Sequence, residues 1–135
     1  MSHAPGMPSP VRPNEPLTRF IFSSSHFSRE SKRVKPSAFL PAPDMKSSVT
    51  RTDSLTELQT WQIGEGIAAG RPATLHGRAE LLVSDVYKAS LTVEPSEPPP
   101  NHANIGGWPT EKSEQKLRAM DLAEAATLHI KPTAE

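Results

Sequence analysis

The chain has 135 residues, enough for one small domain with tails, and its 15 prolines and 35% hydrophobic content point to a modest core. Formal net charge is zero, mean hydropathy is −0.51, and the absence of cysteine excludes disulfides, thiolate catalysis and cysteine–zinc sites. No apolar run reaches the length of a membrane span and no basic-then-apolar leader pattern opens the chain, so no membrane association and a cytoplasmic setting are expected.

Residues 1–16 carry Pro5, Pro8, Pro10, Pro13 and Pro16 and almost no large apolar side chain. Such a stretch buries too little to offset its ordering entropy and is expected to be a disordered tail. The domain proper is expected over 17–130, with a short C-terminal tail at 131–135. Its first strand is predicted over 17–22, where aromatic and β-branched residues cluster.

The following stretch organises the chain. From Arg19 to Arg51 seven Lys/Arg face two Asp/Glu, whereas from Thr52 onward seven face twelve. The excess concentrates in a loop bearing Arg29, Lys32, Arg33 and Lys35, a candidate anion-binding face. Phe27, Phe39 and Leu40 within this polar segment are expected to pin it to the core, and pinned loops often carry binding groups.

A second strand is predicted over 47–52. Ser54-Leu55-Thr56-Glu57 has capping-box spacing, Leu55, Leu58 and Trp61 form an inward stripe, and Gly64 is a natural helix stop. Alternation over 74–83 predicts a half-exposed strand with Leu75, Gly77, Ala79, Leu81 and Val83 on one face. Ser84-Asp85 reads as a turn before a strand over 87–94, the prolines of 95–100 as an extended connection, and 101–107 as a short strand. A last helix is predicted over 111–129, packing through Leu117, Met120, Ala123 and Leu128. The order specifies an α+β domain: a small, mostly antiparallel sheet with two helices on one face.

His26 and His102 stand at strand–loop junctions, where two imidazoles can serve as general acid and base on a phosphate ester. Arg29, Arg33 and Arg51 are the candidate cations for the developing charge, and His26, Arg51 and His102 form the candidate catalytic set. Ordinary hydrogen-bonded histidines are the plainer alternative. No metal-ligand spacing, phosphate-binding glycine loop or nucleophile elbow occurs, and no metal or cofactor is expected.

The stretches Arg19-Phe20, Arg33-Val34-Lys35-Pro36-Ser37-Ala38-Phe39, Ser48-Val49-Thr50-Arg51 and Asn101-His102-Ala103-Asn104-Ile105 form a recognisable pattern. It comprises an arginine-bearing first strand, an R-x-x-P-S-A-F segment, an S-V strand and a late N-H-A strand before an alanine-rich helix. In these stretches the chain resembles a group of small uncharacterised bacterial proteins, over about residues 18–128. The resemblance implies a single domain and no particular activity, and it marks Arg33, Ser37, Phe39 and His102 as a shared site or a shared structural latch.

Three functions are therefore compared with the structure. The leading one is a binding module that contacts an acidic partner protein or anionic ligand through Arg29, Lys32, Arg33, Lys35, Ser37 and Phe39. The second is an enzyme for a nucleotide or other phosphate-containing substrate, using His26, Arg33, Arg51 and His102. The third is single-stranded nucleic-acid binding, with Phe27 and Phe39 as stacking platforms beside the basic loop.

Overall fold

The computed structural model describes residues 8–132, so of the tails expected at 1–16 and 131–135 the parts at 1–7 and 133–135 lie outside the described residues. Strand β1 (Pro16–Ile21) leads into a long loop holding a two-residue hairpin, β2 (Phe27–Ser28) and β3 (Arg33–Val34). Then follow β4 (Ser47–Arg51), α1 (Glu57–Gly70), β5 (Gly77–Leu82), α2 (Val83–Lys88) and β6 (Thr92–Pro95). The chain closes with β7 (His102–Gly106), α3 (Lys112–Ala125) and β8 (Thr127–Ile130). Six strands form one sheet in the order β6-β7-β4-β1-β5-β8, and every neighbouring pair is antiparallel. The α+β class read from the sequence is the observed one. Among the described residues no helix is long and apolar enough to cross a membrane.

Strand alternation sends successive residues to opposite faces, and both faces are covered. On one, Leu17, Ile21, Ala79 and Leu81 pack with Ala119 and Leu122 of α3 and with Phe39 from the loop. On the other, Phe20 packs with Leu75 and with Trp61 and Ala68 of α1. Helices thus sit on both faces, where the sequence led us to expect them on one. The reason is Arg78: on the nominally polar face of β5, it is buried beneath α1. It donates to Thr18 Oγ1 (2.7 Å) and to both oxygens of Glu57 (3.1 Å), and its guanidinium lies 5.6 Å from the Trp61 ring centre. A charge that finds such partners can be covered.

Several boundaries moved, each for a local reason. The capping box of α1 is Thr56–Gln59, with Thr56 Oγ1 accepting from the Gln59 amide (3.1 Å) and Gln59 Oε1 from the Thr56 amide (2.9 Å). Gly64 does not end this helix. A Cβ there would lie 2.7 Å from Phe20 and 2.9 Å from Leu75, so glycine lets the helix meet the sheet closely. Val83, Val86 and Ala89 recur at helical spacing and are all buried, so α2 takes the place of the turn expected at Ser84-Asp85 and of the start of the strand expected over 87–94, which begins only at Thr92. Helix α3 stops at Ala125; the chain turns extended at Ala126, and Thr127–Ile130 pairs with β5, Arg78 opposite His129. Packing on α3 runs through Gln115, Ala119, Leu122 and Ala123, leaving Leu117 and Met120 55% and 45% exposed.

Order also begins before Leu17. Val11 packs on the main core, the Pro13 and Glu15 carbonyls accept from the Ser84 (2.8 Å) and Val83 (3.0 Å) amides, and Glu15 is buried. Residues 9–16 form a strap across the β4–α2 end of the domain, held by side-chain and backbone bonds that proline content does not reveal.

Candidate functional site

The loop between β1 and β4 is pinned as expected. Phe27, Val34, Ala38 and Phe39 are buried, and a 3-10 turn at Pro36–Ala38 is closed by the Ala38 and Phe39 amides donating to Lys35 and Pro36 carbonyls (3.0 and 2.9 Å). The Lys35 amide donates to the His26 carbonyl (2.9 Å), and Ser47 Oγ donates to the Phe39 carbonyl (2.8 Å). Phe27 and Phe39 turn inward as expected, whereas Leu40, also expected to pin the loop, stays exposed, and the loop projects Arg29, Lys32, Arg33, Lys35 and Ser37 into solvent. Lys32 adopts a left-handed backbone (φ 56°) at the tip of the β2–β3 hairpin, and Arg29 lies 5.5 Å from the centre of the Phe27 ring.

Two adjoining clefts open along the seam where this loop packs against α3. The larger, about 550 Å³, is lined by Lys35, Ser37 and Leu40 on the loop side and by Lys112 and Lys116 on the helix. The smaller, about 410 Å³, lies between Lys32, Arg33 and Pro36 on one side and Met120, Ala123 and Glu124 on the other. Five cations therefore face a single carboxylate. Among the described residues none of the five takes part in an ion pair. Leu40 (39% exposed) and Met120 add apolar surface beside the charges.

Phe39 does not belong to this surface. It is fully buried, as is nearly all of Phe27, whose ring meets His76 at 5.8 Å. Neither ring can stack on a base, so the loop offers positive charge without an aromatic platform.

The candidate catalytic residues are not gathered in one place. Arg51, at the end of β4, is buried against Glu15: Nε donates to Oε1 (2.7 Å) and Nη2 to Oε2 (3.0 Å), while Nη1 and Nη2 also donate to the Ser9 and Pro10 carbonyls (2.7 and 3.1 Å). Burial alone would raise the Glu15 pKa; the Arg51 hydrogen bonds and the Arg12 amide overcome it and hold the carboxyl below its ordinary value. Arg51 is thus the latch of the N-terminal strap. His102 lines a different concavity, and its Nδ1 donates to the Ser96 carbonyl (2.9 Å), leaving Nε2 free. His26 ends a 3-10 turn, where burial and then the charge of Arg19 lower its pKa and favour the neutral ring. Arg33 stands on the loop beside α3. The sequence also missed Lys112, Lys116 and Met120 as surface partners of the loop, although their i, i+4, i+8 spacing marks one stripe of a helix.

No protein-family model matches the chain, and no curated protein or solved structure matches it.

Proposed function

We propose that this protein is a cytoplasmic binding module whose cleft between the basic loop and α3 receives an acidic segment of a partner protein. One observation carries the proposal: Lys32, Arg33, Lys35, Lys112 and Lys116 line the two clefts, with Glu124 the only carboxylate among the described residues that line them. Charges so arranged raise the local concentration of an anionic partner and orient it. Leu40 and Met120 supply apolar footholds for side chains interspersed among the partner's acids. Ser37, exposed at the cleft wall, adds a hydroxyl for the partner's backbone.

Catalysis through His26, Arg33, Arg51 and His102 is less well supported. Arg51 is engaged with Glu15 and two carbonyls, and Arg33, Arg51 and His102 line three separate cavities.

The test is direct binding of a fluorescent peptide rich in Asp and Glu with interspersed Leu. The double variant Lys35→Glu/Lys116→Glu should bind at least tenfold more weakly, because like charges would face each other across the cleft. Binding should also fall with added salt, since these charges are solvent-exposed and the screening length is about 8 Å at physiological ionic strength. Equal affinity of the double variant and the natural chain would reject the proposal.

A further inference from the structure

We propose a second, separate site: the split between β1 and β4 binds a phosphate group through Arg19, Arg71 and His102. The split is a feature of strand pairing. Strand β1 stays with β5 from Pro16 to Ile21 but meets β4 only at Leu17↔Arg51 and Thr18↔Thr50. Past that point Arg19 bridges the gap with its side chain, Nε donating to the Ala38 carbonyl (2.9 Å) and Nη1 to the Ser48 carbonyl (2.8 Å). Both acceptors are neutral, so the guanidinium charge has no counter-ion there.

The concavity beside this split measures about 60 Å³ and is lined by Arg19, Arg71, His102, Ser48, Thr50 and Phe22, among others, with no acidic residue. Arg71, just past the end of α1, is held at the mouth with its guanidinium 4.9 Å from the Phe22 ring centre. His102 is fixed through Nδ1 by the Ser96 carbonyl, which leaves Nε2 available. Two arginines, an imidazole and two hydroxyls thus surround one small space. Among the described residues neither arginine has a carboxylate partner.

Partly desolvated like charges repel, and such a cluster is costly unless an anion occupies it. Burial first, and then the charge of Arg71, lower the Arg19 pKa to about 10, so the guanidinium still carries its charge at neutral pH. The charge and donor count exceed what one carboxylate uses and suit a phosphate dianion, which arginine forks recognise in bidentate fashion. The concavity, with Phe22 and Ile67 among its lining residues, admits an oxyanion head while anything attached to the head lies outside. The recognised chemistry is therefore a phosphate, either free or at the end of a monoester.

The experiment is a titration of the labelled full chain, followed by nuclear magnetic resonance, with inorganic phosphate and with phenyl phosphate, against chloride at matched ionic strength. Both phosphates should shift the His102 ring and the Arg71 side chain, and chloride should not. Tighter binding of phenyl phosphate would identify a monoester as the ligand, and equal or weaker binding free phosphate. Arg71→Gln, at an exposed position, should lower phosphate affinity at least tenfold with an unchanged unfolding midpoint. Lys35→Glu, in the cleft against α3, should leave it unaltered. The site is refuted if neither phosphate shifts these groups at tens of millimolar, or if Arg71→Gln binds as well as the natural chain.

Discussion

At the scale of single residues, the buried Glu15–Arg51 pair decides how the N-terminal strap holds. Removing one partner of such a pair strands the other, and Glu15→Ala should cost about 3–5 kcal/mol in chemical unfolding. The pH dependence has two windows with the same sign. Glu15 titrates lower in the fold than its ordinary value near 4.5, so its contribution is present above that value and is lost as pH falls through the lower folded one. Burial and then the charge of Arg19 lower the His26 pKa in the fold below its ordinary value near 6.5, so the unfolded chain binds that proton more readily and stability also declines as pH falls from there. Unfolding midpoints between pH 7 and 5 should therefore decrease, and His26→Gln should flatten that decrease while leaving the lower, Glu15 window in place. Phe39→Ala should cost about 3–5 kcal/mol, as for any large core side chain, whereas Ser37→Ala two positions away should change stability little.

At the scale of elements, α1 offers a contrast between two glycines two residues apart. At Gly64 a methyl group would run into Phe20 and Leu75, and Gly64→Ala should destabilise by about 1–3 kcal/mol. At Gly66 an added Cβ meets nothing within 4 Å, and Gly66→Ala should stabilise by up to about 1 kcal/mol through helix propensity. Thermal unfolding of the two variants should move in opposite directions. These glycines also mark how far sequence reasoning reaches. A glycine inside a helical pattern signals either an end or a close approach, and only the position of Phe20 across the interface separates the two. The strand at Gly77–Leu82 was legible because Gly77, Ala79 and Leu81 alternate with Arg78 and Glu80 and one face meets the main core. The end of α3 was not, because Ala125 and Ala126 favour helix and only pairing of Thr127–Ile130 with β5 draws the chain extended. Nor could propensity foresee that Leu117 and Met120 would face solvent while Ala119 and Leu122 face the core.

For the whole molecule, charge is sorted by the fold as much as by the sequence. The basic loop was legible, because Arg29, Lys32, Arg33 and Lys35 are neighbours in the chain. Its extension onto Lys112 and Lys116 was not, since 77 positions separate Lys35 from Lys112 and only the tertiary structure joins them. The cationic cluster at the β1–β4 split was equally hidden: Arg19 reads as an ordinary strand residue until the ladder to β4 ends beside it. Five of the fifteen acids are drawn into ion pairs elsewhere, Glu15 with Arg51, Glu57 and Glu80 with Arg78, Asp53 with Arg12 and Glu65 with Lys131. A chain of zero net charge thereby presents a basic face. The most direct check on that face is residue-resolved mapping of an acidic peptide on the labelled protein. Shifts should cluster over residues 32–41 and along Lys112, Lys116 and Met120, and should fade as salt is raised. Absence of binding, or shifts confined to the split around Arg19 and Arg71, would show that the cleft between the loop and α3 is not where an acidic partner docks.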